Sequence, residues 1–238
     1  MLKKVLLGLF IVLLAGVWWV RLSLETTSSS TPKRPSVVCT TGMIADAVEA
    51  IAGDVVTVTH LMGPGVDPHL YRATEGDIRR LTKADIIFFN GIHLEAKMSD
   101  VLKKLGQKKV SVPVAEVLPH NQLLDSSQYE GQYDPHVWFD VDRWGKVVAK
   151  IQTVLSDRYP EHREAIMARG DDYRAQLTAL HRAILQDVSH LNPEQRVLVT
   201  AHDAFSYFGQ AYGFTVRGLQ GISTESKAGT KDIQNLAN

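Results

Sequence analysis

Two short stretches of this chain carry the same triplet: "VDPHLY" at residues 66–71 and "YDPHVW" at residues 133–138. Each places a histidine, His69 or His136, directly after Asp-Pro. Proline fixes its own φ and restricts the residue before it, so each imidazole leaves a stiffened loop end. A third histidine, His202, closes the strand-like run in "VLVTAHDAF". Several imidazoles held still suit coordination of a late first-row metal ion, for which neutral imidazole is a good donor. Asp67 and Asp134 stand two residues ahead of their histidines, where a carboxylate can cap the loop or orient the ring. Asp203, just after His202, is placed to cap a following helix. An Asp-Pro-His triplet is also ordinary turn chemistry, so spacing alone leaves metal binding and simple turns both open.

The elements that must position these residues read as alternating strands and helices. "VVCTT" is a short apolar strand, and "GMIADAVEAIAG" sets Ile44, Ala47, Val48 and Ile51 at helical spacing before Gly53 as a C′ residue. "DVVTVTHLM" is β-branched and ends in the turn "GPGVDP". Thr74 and Asp77 form a capping-box pattern at the head of "TEGDIRRLTKA". "DIIFFNG" is a continuous apolar run suited to a strand buried on both faces, "HLEAKMSDVLKKLG" reads as helix, and "KVSVPV" as strand. An irregular loop from about 115 to 134 delivers the second triplet, followed by a helix from about Asp142 to Tyr159. This alternation predicts an α/β fold with a parallel sheet flanked by helices.

From Pro160, the residues Ile166, Tyr173, Leu177, Leu180, Ile184, Val188 and Leu191 trace one apolar stripe over a helix of about 45 Å, long enough to bridge two lobes. "RVLVTA" and "FTVRGL" then read as strands around the helix "DAFSYFGQAYG", and "KDIQNLAN" opens another helix. Two strands bury little on both faces, so the second lobe is expected to be incomplete, a shortened version of a larger design. The predicted organisation is an export signal or membrane anchor at 1–24, a flexible linker at 25–36, a first lobe at 37–159, a connecting helix at 160–191 and a second lobe at 192–238. The 1–24 segment joins a basic head to sixteen uncharged, mostly apolar residues from Val5 to Val20, which places the rest outside the cytoplasm.

Lys plus Arg equals Asp plus Glu at 26 each, so no global field draws in nucleic acid. The single cysteine, Cys39, excludes an internal disulfide; it sits in an apolar strand without the context for lipid attachment and reads as a small buried hydrophobe. His60, His93, His120, His162, His181 and His190 fall where solvation or capping is the ordinary role, and Trp138 and Trp144 read as packing for the first lobe near the site.

"TTGMIADAVEAIAG", "MGPGVDPHLYRATEGDIRRLTKADIIFFNGIHLEAKM", "DPHVWFDV" and "VLVTAHDAFSYFGQAYGFTVRGLQGISTES" together resemble the TroA-type (cluster A-I) solute-binding proteins of zinc and manganese ABC transporters. The resemblance runs in order from Val37 to Asn238. It implies two α/β lobes joined by one rigid helix, with a metal site in the interlobe cleft. Its ligands fall on His69, His136 and His202; its fourth, an Asp in a later segment of the second lobe, has no counterpart here. Histidine at the third position, where manganese-specialised members often carry Glu, points to the zinc-capable branch. The loop between the first two ligands lacks the His-rich tract of many dedicated zinc importers, so zinc, manganese and iron remain open. The implied role is a non-enzymatic, monomeric carrier that hands a divalent metal to a membrane permease. Two other readings compete with it: a three-histidine zinc enzyme, and a defective fragment that binds metal weakly.

Overall fold

The computed structural model describes residues 34–126, 130–222, 224 and 229. The expected export segment, most of the linker and the helix expected over "KDIQNLAN" lie outside the described residues. The described residues from Pro35 onward belong to one compact unit.

Four strands build the main sheet: β1 (Ser36–Thr41), β2 (Thr57–Met62), β3 (Ile86–Phe89) and β4 (Val110–Pro113). Their order is β2-β1-β3-β4 and every pairing is parallel, with Val37 opposite Val58 and Ile86, and Val38 opposite Ile87. Alternation of side chains along β1 explains why the strand is apolar throughout. Val37 and Cys39 pack with Ile86 and Phe88 into one core, whereas Val38 packs with Ile87 into a second core across the sheet.

Helices α1 (Gly42–Ala52), α2 (Glu75–Lys83), α3 (Ser99–Gly106) and α4 (Val141–Arg158) cover the two faces. From α1 and α4, Ile44, Val48, Ile51, Val147, Ile151 and Leu155 join the first core; Leu81 of α2 and Leu102 of α3 join the second. The capping box read at Thr74 is formed, with the Asp77 carboxylate accepting from the Thr74 N–H at 2.8 Å. Cys39 is fully buried, as expected for a strand hydrophobe.

The segment read as one helix over "HLEAKMSDVLKKLG" departs from that expectation. Ile92 and His93 sit in the left-handed region, with φ of 50° and 61°, and α3 starts only at Ser99 after a single 3-10 turn at Ala96–Met98. The reason is Glu95, whose buried carboxylate turns back to accept from the Asn90 and Gly91 N–H groups at 2.7 and 3.1 Å and from the Thr40 hydroxyl at 2.6 Å.

The long helix is α5 (Arg163–Ser189), 27 residues and therefore about 40 Å. Arg169 reaches the C-terminal carbonyls of α1, donating to Ile51 and Ala52 at 2.7 and 2.8 Å. Ile166, Tyr173 and Leu177 pack on the first core. Beyond them one member of the stripe departs from the sequence expectation: Leu180 is 49% exposed, whereas Ile184 is half-buried and Val188 is buried. A second, two-stranded parallel sheet follows, β5 (Val197–His202) and β6 (Thr215–Gln220), joined by α6 (Ser206–Tyr212). Its one-sided burial matches the expectation for two strands, with Val197 and Val199 on the exposed face.

The crossing of α4 and α5 is tight at Gly170. A Cβ added there would lie 2.5 Å from the Gln152 side chain, which itself donates to Met167 O and Asp171 Oδ1 at 2.9 Å. Gly170→Ala should therefore destabilise the protein by about 1–3 kcal/mol through overpacking, despite alanine's better helix propensity. Denaturant unfolding checks this; a variant at least as stable as the parent contradicts it.

Candidate metal centre

The three histidines singled out by sequence arrive from three different elements and meet. His69 lies midway along the loop between β2 and α2, His136 follows a hairpin that leads into α4, and His202 is the last residue of β5. One ligand-capable nitrogen from each lies within 4.8 Å of the others, and no second such cluster occurs among the described residues. The Nε2 atoms of His69 and His136 are 3.1 Å apart. Ring centroids of His202 lie 6.0 Å from His69 and 5.4 Å from His136. His69 and His136 are buried and His202 is partly buried.

Each Asp-Pro-His loop is closed by its own aspartate: Asp67 Oδ1 accepts from the His69 N–H and Asp134 Oδ1 from the His136 N–H, both at 2.9 Å. The two triplets then diverge. Asp134 Oδ1 also lies 2.7 Å from His136 Nδ1. An ionised carboxylate only accepts, so His136 carries its proton on Nδ1 and turns the Nε2 lone pair into the cluster. His69 Nε2 then supplies the hydrogen in the 3.1 Å contact. Asp203 does not cap a helix as expected: α6 begins at Ser206, and Asp203 instead donates its N–H to Gln220 O at 3.0 Å and accepts from the Ser206 hydroxyl. Gly218 makes that turn feasible, since a Cβ there would lie 2.6 Å from the Asp203 nitrogen.

Two supports of the site escape a reading by motif. Asn90, fully buried, donates its amide to Pro135 O at 3.1 Å, directly ahead of His136. Glu95 in turn holds the Asn90 and Gly91 backbone, and burial pushes its carboxyl above the usual range against those hydrogen bonds. The only trace of either in the sequence is polar residues beside a buried strand end. Trp138 stands beside His136, with ring centroids 5.2 Å apart, while Trp144 is buried in the first core. His60, His93, His120, His162 and His190 are exposed, and His181 contacts the Tyr212 hydroxyl.

The electrostatics favour neutral rings. Burial, then the neighbouring His136, lowers the His69 pKa to about 4, with Asp67 opposing. Burial and His136 likewise lower that of His202. Neutral imidazoles at His69 and His202, with His136 turning Nε2 toward them, make a nitrogen donor set suited to one transition-metal ion.

Comparison with known proteins places this geometry in context. Residues 37–238 match the family ZnuA, described as zinc-uptake complex component A, periplasmic. The chain is 46% identical over 213 residues to the manganese-binding lipoprotein MntA of Bacillus subtilis, covering 89% of this chain and 69% of that protein. It is 48% identical over 204 residues to the zinc-binding protein TroA of Treponema pallidum, covering 86% of this chain and 66% of that protein. The chain thus spans about two thirds of the length of these relatives. The structure of TroA from Treponema pallidum superposes with a TM-score of 0.83 over 86% of this chain and 73% of that one. Fe(III)-bound YtgA from Chlamydia trachomatis, 30% identical, gives 0.78 over 85% of this chain and 75% of that one.

A ring held neutral by burial carries a pH signature. Between about pH 6.5, the ordinary histidine value, and about pH 4, the unfolded chain binds a proton at residue 69 that the folded chain refuses. Stability of the metal-free protein is therefore full above that window and declines as pH falls through it. Thermal melts across the window should show a shallower decline for His69→Asn than for the parent; equal slopes contradict the assignment.

Proposed function

The chain belongs to the ZnuA family of periplasmic zinc-uptake components, and from that premise we propose that His69, His136 and His202 jointly bind one divalent transition metal as cargo for an ABC importer. The observation that carries this reading is the convergence of three buried or partly buried imidazoles within 4.8 Å, each on an element stiffened by proline or by strand pairing. Neutral imidazole is a donor of intermediate softness that suits zinc and iron, with manganese at the weak end of the same divalent series. The metals named for the relatives span a similar range: MntA is manganese-binding, TroA zinc-binding, and YtgA is Fe(III)-bound in its crystal structure.

The protein's part is capture and delivery without turnover. His136 presents a fixed lone pair because Asp134 holds its other nitrogen; His69 exchanges its contact with His136 for the metal; His202 closes from the second sheet. Metal released from this cluster passes to the importer's permease on the membrane. Capture takes place outside the cytoplasm, where the N-terminal segment directs the chain, and the carrier acts as a monomer.

Isothermal titration of the chelator-stripped chain with Zn²⁺, Mn²⁺ and Fe²⁺ tests the reading, with one ion per chain expected. His69→Ala, His136→Ala and His202→Ala should each lower affinity for the preferred ion by about 100-fold or more. Asp134→Asn, which leaves the ring but disturbs its tautomer and aim, should cost about 10–100-fold. Three alanine variants that bind like the parent would sink the proposal.

A further inference from the structure

The hairpin that leads to His136 has an interruption in its ladder. Asp134 donates its N–H to Leu124 O at 2.8 Å, and an antiparallel pair would return a bond from Leu124 N–H to Asp134 O. Instead the Tyr207 hydroxyl stands in that place: it accepts from Leu124 N–H at 3.0 Å and donates to Asp134 O at 2.9 Å. Tyr207 belongs to α6, the helix that begins four residues after His202. One hydroxyl therefore splices the element of His202 into the hairpin of His136, and it lands on the residue whose carboxylate aims the His136 ring.

The joint is built rather than incidental. Tyr207 is fully buried, and burial pushes its hydroxyl up to about 12, so it remains a proton donor. Arg143 lies over its ring, 5.2 Å from the centroid. The same guanidinium donates to Gln122 O at 2.8 Å on the loop side and to Gln210 Oε1 at 2.6 Å on α6. Alongside, Phe139 stacks on Phe205 with centroids 4.0 Å apart.

We infer that Tyr207 is a positioning residue that fixes His202 relative to His136, and so sets the donor spacing offered to the metal. This rests on the metal-binding reading above. Tyr207→Phe keeps the ring and removes both bonds. Zn²⁺ affinity should fall about tenfold, and the visible absorption of the Co²⁺-substituted chain, which reports coordination geometry, should change in position and intensity. Tyr173→Phe is the control: it removes a 2.7 Å bond to Asp46 between α5 and α1, outside the hairpin and α6, so it should lower thermal stability without moving either metal readout. Tyr207→Phe with parental Zn²⁺ affinity and an unchanged Co²⁺ spectrum overturns the inference, whatever its melting temperature. Should that variant not fold, Gln210→Ala loosens the same joint from an exposed position; a fall of about threefold with the same spectral change supports the inference, and parental binding overturns it. A parent chain that binds neither ion overturns the metal reading and this inference with it.

Discussion

Three imidazole nitrogens within 4.8 Å impose a condition that the surrounding structure has to meet. A charge on one ring repels a charge on the next, and burial penalises it further, so His69 and His202 are held toward the neutral form. His69 shows the result, its pKa lowered to about 4 by burial and by His136. Neutral rings bring a second requirement. Each has one donor and one acceptor nitrogen, so the orientation of every ring decides whether lone pairs converge or clash. Asp134 settles this for His136 by holding Nδ1 at 2.7 Å, and the direction of the 3.1 Å contact with His69 follows from that assignment.

Meeting the condition falls to the C-terminal ends of the parallel strands, where loops can carry chemistry without disturbing either core. The left-handed pair Ile92 and His93 is the clearest cost, on the order of 1–3 kcal/mol per residue for backbone held there. The strain brings Glu95 beneath the ends of β1 and β3, where one carboxylate satisfies two backbone N–H groups and the Thr40 hydroxyl. Gly91, at φ of 80°, allows the turn to lie against β4, since a Cβ there would meet Pro113 at 2.9 Å. Asn90, fixed in this way, supports Pro135. The stiffness of the second Asp-Pro-His loop thus originates in a turn some forty residues earlier, as well as in its own proline.

What the sequence made legible was local. The doubled triplet, the Thr74–Asp77 capping box and the two-sided burial of β3 each follow from residues within a few positions of one another. The parallel α/β arrangement followed from their alternation. Illegible were features whose partners lie far along the chain. Glu95 lies in a stretch read as plain helix, with nothing nearby in sequence to announce the Thr40 hydroxyl, and the Tyr207 hydroxyl meets its hairpin partner 73 residues away. Asp203 looked like a cap because serine, threonine, asparagine and aspartate favour that place; pairing of its N–H with Gln220 O instead extends the strand turn and delays the helix. Leu180 fits the apolar stripe by periodicity, yet a stripe records only that a helix could be covered along its length, not which of its members a neighbour reaches.

The identity of the three donors does not by itself select a metal. At any set of nitrogen ligands, affinity rises from manganese through iron(II) toward copper, with zinc above manganese and iron(II), so a flexible triad of imidazoles would follow that order. Departing from it requires donors that cannot move to the separations a favoured ion prefers. His69 and His136 are set by their own loops, both beside the main sheet. His202 comes from a two-stranded sheet with one exposed face, the least braced of the three supports. Freedom in the cluster therefore lies mainly in the distance from His202 to the other two rings. The contacts that restrict this distance run through α6: Phe205 on Phe139, Gln210 on Arg143, and the Tyr207 hydroxyl between Leu124 and Asp134. On the metal-binding reading proposed above, selectivity then rests with the joint between the two sheets, and the rings supply the affinity on which it acts.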